Sequence, residues 1–194
     1  MDTRSWTVET APSAEPILKA AAKTHMRITV TDHDDYIDAL IIAARKTTEH
    51  LTGRALITQT IELRLDRFPT TIYLPRGPVQ SVTSIKYYDT AGDEQTLDAA
   101  EYQTELYSDP PRIEPEYGYS WPSTQDRMAA VTVKYIAGYG DAGTDVPDDL
   151  IHALKLLVAH WFESSEPVIS GSIPRDVEMT YNFLIKNYKV RLPG

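Results

Sequence analysis

The chain has 194 residues, 42% of them apolar, with 28 acidic residues against 19 basic and no cysteine. That length predicts one domain, or one with a sizeable insertion, and the apolar content is enough for a real core. Without cysteine there are no disulfides, no thiol nucleophile and no thiolate metal site, which fits a reducing compartment. No run of 18 apolar residues offers a transmembrane span, and no basic stretch followed by an apolar one reads as a secretory signal.

The net charge of −9 is unevenly placed. Tyr88 to Asp126 holds ten acidic residues and one basic, whereas Gly171 to Gly194 holds four basic and two acidic. An acidic body argues against gripping a phosphate backbone, and it suits a passage through which DNA slides without sticking. A basic tail on such a body points to a tail that docks elsewhere.

Residues 1–16 are polar, contain Pro12 and Pro16, and read as an N-terminal arm. Ile17 to Met26, rich in Ala and Leu, predicts a short helix. Thr31 followed by Asp34 predicts a capped second helix, a variant of the capping box, with Tyr36, Ile37, Leu40, Ile41, Ala44 and Leu51 on its apolar face. Arg45 and Lys46 fall on the opposite side, with Lys46 in reach of Glu49, and Gly53 sits where a left-handed terminus is wanted.

The period then changes to two. Ile57, Gln59, Ile61, Leu63 and Leu65 alternate with Thr58, Thr60, Glu62 and Arg64, which predicts a strand. Thr71–Leu74, Val79–Tyr88 and Ala130–Ile136 are further strands, with turn residues at Pro75–Pro78 and a hairpin turn at Ala91–Glu94 leading to Gln95–Leu97. The stretch between carries Pro110, Pro111, Pro115 and Pro122 with Tyr107, Tyr117, Tyr119 and Trp121, and room for a short strand near Arg112–Ile113.

The chain is organised around Pro147 to Ser164. Leu150, Leu154, Leu157 and Trp161 keep helical period, and Ile151, Val158 and Phe162 widen the face so far that it must be covered from more than one side. Pro147 suits a first helical turn and Asp148 and Asp149 suit the positive end of the dipole. After a loop marked by Pro167 and Gly171, Val177, Tyr181, Leu184 and Tyr188 predict a last helix. The order predicts an α+β fold, a small bundle of three to four helices (17–56 and 144–188) with an antiparallel β-sheet (57–143) inserted between the second and third main helices, and a tail at 189–194.

Residues suited to chemistry are few. Asp32-His33-Asp34-Asp35 would suit a metal, yet carboxylates at a helix start are there for capping and the dipole. His152 and His160 lie two turns apart on one helix, about 12 Å, too far to share a metal. Gly138 to Gly143 precedes a helix, but with no Gly-Lys-Ser/Thr and with Asp148 and Asp149 beyond it the loop does not suit phosphate. Glu114 and Glu116 read as solvated surface, and Tyr107, Tyr117, Tyr119 and Trp121 suit either core packing or stacking on a sugar or peptide. No cofactor and no catalytic set is expected.

In order and spacing, the chain resembles the head–tail connector, or head-completion adaptor, proteins of tailed bacteriophages and prophages. The resemblance is carried by Leu18–Ile28, Asp35–Arg45 with Glu49, Thr52-Gly-Arg-Ala-Leu56, Leu74-Pro-Arg-Gly-Pro-Val79 with Ser84-Ile85, Val133–Gly140, and Pro147 with Ala153, Leu156, Leu157 and His160-Trp161. It implies a non-enzymatic virion protein at the head–tail junction, made in the bacterial host cytoplasm. Such a protein forms a twelve-subunit ring beneath the portal, extends the DNA channel and presents a surface to the next connector or tail-completion protein. DNA would pass without sequence-specific binding, and no membrane is involved. The family's C-terminal segment engages the portal, which here implies Asn187, Tyr188, Lys189, Val190, Arg191 and Leu192. A sugar- or peptide-binding module built on the aromatics from Tyr117 to Trp121 is the alternative.

Overall fold

A computed structural model of the chain describes residues 4–164 and 175–190. Its elements run β1 (Arg4–Thr10), α1 (Lys19–Met26), α2 (Asp34–Thr52), β2 (Gln59–Leu65), β3 (Ile72–Tyr73), β4 (Val79–Tyr88), β5 (Glu94–Thr96), β6 (Tyr102–Glu105), β7 (Arg112–Pro115), β8 (Val131–Ala137), α3 (Asp148–Glu163) and α4 (Arg175–Ile185). The fold is α+β, with antiparallel sheets. Two compact units appear: among the described residues one holds 4–12, 58–138 and 190, the other 13–57, 139–164 and 175–189.

The first unit is built on a five-stranded sheet in the order β1-β2-β8-β4-β5. Alternation sets its two faces. Ile61 stands opposite Tyr135, Leu63 opposite Val133 and Leu65 opposite Val131, all buried, while Glu62 opposite Lys134 and Arg64 opposite Thr132 lie on the other side. A second sheet, β3-β7-β6, buries Ile72 and Ile113. The hydroxyl of buried Tyr135 donates to the Pro75 carbonyl at 2.6 Å, so the one polar atom of that side chain is satisfied.

Residues 4–10, expected to belong to an N-terminal arm, are a strand that pairs with β2 from Arg4↔Leu65 to Thr10↔Thr60, with a bulge after Val8. Trp6 and Val8 supply the alternation, and Arg76 lies over the Trp6 ring at 4.4 Å. The five-stranded sheet is therefore not wholly an insertion between helices, because its edge strand precedes α1. β6 was also not expected. Its sequence, Tyr-Gln-Thr-Glu, has little apolar signal, and it is held by the pairing Tyr102↔Pro115 to Glu105↔Arg112.

In the second unit α3 is the centre. Leu150, Ala153, Leu154, Leu157 and Val158 are buried with Ile37, Leu40, Ile41 and Ala44 of α2, Tyr181 and Ile185 of α4, and Ile17 and Ala22 at α1. Pro147 is the residue just before the helix, and its carbonyl accepts from Leu150 and Ile151. The loop before it folds tightly: a Cβ on Gly143 would overlap the Pro16 carbonyl, so only glycine fits there.

Four expectations for α1 and α2 fail. The first helix starts at Lys19, not at 17, and Ile17 instead packs in the core. Thr31 does not cap α2: the helix starts at Asp34 after His33, which makes no side-chain cap bond. The Asp34 carboxylate goes instead to Lys23 at 2.6 Å, and these lysine contacts hold it below the usual carboxylate range. Arg45 is not on a solvent face. It is buried, donating to Glu15 at 2.7 and 3.1 Å and to Glu49 at 3.1 Å, and Glu49 also accepts the Leu56 N–H at 3.0 Å. Tyr36 and Leu51, expected on the apolar face, are exposed.

His152 of α3 meets His25 of α1 edge to face at 6.2 Å. Lost hydration, then the charges of His152 and Lys155, hold His25 below the ordinary histidine value. A histidine depressed in the fold contributes stability above its unfolded pKa and loses it as pH falls through its folded one. NMR titration of His25 will give a midpoint under about 6.5, and His152→Ala will move it upward; a midpoint at or above the ordinary value would contradict this packing.

Candidate functional site

The residues that sequence singled out for docking lie past α4. Lys186–Tyr188 form a short 3-10 turn that continues the helix. Arg54 at the end of α2 donates to the Tyr188 carbonyl at 2.6 Å, and the Tyr188 hydroxyl faces Asp149 at 3.4 Å. Lost hydration, then the Asp149 charge, push that hydroxyl's pKa up. Tyr188 is thus partly buried against the helical core, whereas Asn187 and Lys189 are exposed and Val190 is half-buried. Arg191 and Leu192 lie outside the described residues, as do Pro167 and Gly171.

The same helix carries a feature that the periodic reading passed over. Val177, Tyr181, Leu184 and Tyr188 define its inner side, but Met179 and Phe183 point outward, 67% and 65% exposed. Lys186 Nζ sits 3.8 Å above the Phe183 ring, and Glu178 and Asn182 border the shallow depression they make. The signal was present as a second apolar pair at i, i+4, off the main stripe.

The aromatic group of the first unit separates into two kinds. Trp121 is committed to the connection between β2 and β3: it stacks on Phe68 at 4.8 Å with planes 8° apart and donates to the Thr70 carbonyl at 3.3 Å. Tyr107 and Tyr117 are fully exposed and Tyr119 is more than half exposed. Tyr117 and Tyr119 belong to a turn closed by the Tyr119 N–H on the Glu116 carbonyl at 2.9 Å, with Gly118 at φ +86° in its third position, where a side chain would be strained.

The polar face of the five-stranded sheet is charged but largely paired within itself. Lys86 donates to Glu94 at 2.8 Å, Lys134 to Glu9 at 2.6 Å and Arg64 to Glu62 at 2.6 Å, while Arg127 covers the Tyr88 ring at 3.9 Å. Among the described residues no three His, Asp or Glu side chains are placed to hold a metal ion. In the stretch from Asp32 to Asp35, Asp34 pairs with Lys23 and His33 meets Phe162 edge to face at 5.4 Å. Glu114 accepts from Thr71 at 3.0 Å, and Glu116 accepts the Tyr117 N–H at 2.9 Å. No described helix is long and apolar enough to cross a membrane. The chemistry on offer is that of surfaces: exposed tyrosines among carboxylates, an apolar helix face beside a lysine, and a basic tail.

Residues 17–173 match the head completion protein family, and the chain belongs to it. Among solved structures it is similar, at 27% identity, to a chain in the neck of an empty GTA particle computed with C6 symmetry, with a TM-score of 0.80 and 98% of each chain covered. It is also similar to a chain in the virion of a native gene transfer agent (GTA) particle, with a TM-score of 0.79 at 27% identity over 97% of each chain. A third match is to a chain in the neck of the native GTA particle computed with C12 symmetry, with a TM-score of 0.72 at 27% identity over 98% of each chain. No curated protein matches the chain.

Proposed function

We propose that this protein is a structural subunit of the head–tail junction that assembles as a twelve-membered ring beneath the portal. There it extends the DNA channel and offers a docking surface to the next connector or tail-completion protein. The observation that carries the reading is the likeness, end to end and at 27% identity, to chains in the necks of gene transfer agent particles, alongside membership of the head completion family. Reconstructions of those necks with C6 and C12 symmetry support a ring here, and head-to-tail contacts close into rings when the rotation between copies fits. The function is mechanical, not enzymatic. A net charge of −9 suits a channel wall from which packaged DNA must slide free. The protein acts in the virion and is assembled in the bacterial host cytoplasm.

Portal docking falls to Asn187, Tyr188, Lys189, Val190, Arg191 and Leu192. Support comes from the anchoring of Tyr188 by Arg54, which fixes where the tail leaves the helical unit, and from the exposure of Asn187 and Lys189. Electron cryo-microscopy of the full chain mixed with its portal will show a ring on the portal. A chain ending after Tyr188 will keep its melting temperature yet bind portal at least about tenfold more weakly, about 1.4 kcal/mol. Undiminished binding by the shortened chain would refute the tail's role, and no ring with the full chain would refute the adaptor reading.

A further inference from the structure

The geometry points to how neighbouring copies meet: the acidic tyrosine turn at 116–119 of one copy seats on the outward face of α4 of the next. This rests on the ring reading above and adds to it the two surfaces in contact.

The turn is built to be rigid. Besides the closing bond from Tyr119 to Glu116, the Glu116 side chain accepts the Tyr117 N–H at 2.9 Å, and the Glu116 N–H donates to the Glu101 carbonyl at 2.9 Å, tying the turn to the start of β6. Tyr117 stands at its tip, 94% exposed, with Tyr119 54% exposed beside it. A tyrosine held out by a preorganised turn loses little freedom on binding, and its amphipathic ring suits an interface. Glu101 and Glu116 flank it within the stretch that holds ten acidic residues and one basic.

The α4 face is its chemical complement. Met179 and Phe183 offer an apolar seat, with the Lys186 cation at one end and Glu178 at the other. Symmetry and charge together decide the occupant. Two α4 faces set against each other, or two turns, would make a pair that stops at two copies, and two turns would also oppose carboxylates to carboxylates. Turn on helix is heterologous, as a ring requires, and it can set the carboxylates of the turn beside Lys186.

The test uses the full chain assembled on its portal, with p-benzoylphenylalanine in place of Tyr117. Irradiation will join neighbouring copies into a ladder, with the cross-link mapped by mass spectrometry to residues 179–186. Phe183→Asp and Lys186→Glu, each checked for folding by circular dichroism, will each lower the cross-link yield at least about tenfold, and Glu101→Lys will restore a large part of it in the Lys186→Glu chain. Rings that form without this cross-link, or a cross-link only to the portal or to a tail protein, would overturn the pairing while leaving the ring reading standing. Absence of any ring would overturn that reading itself.

Discussion

Replacing Arg45 by alanine will cost about 3–5 kcal/mol of folding stability, the largest single effect expected in the protein. Arg45 is 7% exposed and Glu49 5% exposed. The guanidinium makes three hydrogen bonds, two to Glu15 and one to Glu49. Truncation removes the Arg45 cation that faces Glu15 and Glu49, and it weakens the setting of a Glu49 carboxylate held in a low-dielectric pocket. Urea unfolding at neutral pH checks this. A loss under about 1 kcal/mol would put the trio in the class of solvent-exposed ion pairs.

Leu154→Ala will cost about 2–5 kcal/mol, because Leu154 has no exposed surface in the middle of α3 and is packed among side chains of the helical core. In a domain of this size each kcal/mol moves the melting temperature by roughly 2–4 °C. Leu156→Ala, two residues on and only partly buried, will cost less than half as much. Equal effects at the two positions would mean that the helix is not oriented as described. Calorimetry of both variants makes the comparison.

What the sequence revealed depended on how local the determining forces are. α3 was legible because Leu150, Leu154 and Leu157 repeat on one face and Asp148 and Asp149 mark its start. β2 and β8 were legible because alternation survives on a sheet with one buried side, and β4 because it is rich in β-formers. The burial of Arg45 was not, since the partner that draws it inward, Glu15, lies thirty residues away. Thr31 and Asp34 satisfied a capping pattern, but lysines from α1 competed for the carboxylate and the helix began later. β1 was hidden by its prolines downstream and by a pairing partner far along the chain. At the candidate site, the tail stood out by charge. The outward Met179 and Phe183 did not, since helical period tells which residues share a face but not which face the neighbours cover.

That first strand bears on how the molecule is made. Residues 4–10 leave the ribosome before anything they can pair with, because β2 follows roughly fifty to sixty residues later. Until residues 131–137 arrive, β2 carries on its other side a bare border of amide and carbonyl groups, the kind of template on which two nascent chains stick. The bulge after Val8 and the Lys134–Glu9 pair then finish the margin with a kink and a charge, so the mature sheet ends in a border that discourages further stacking.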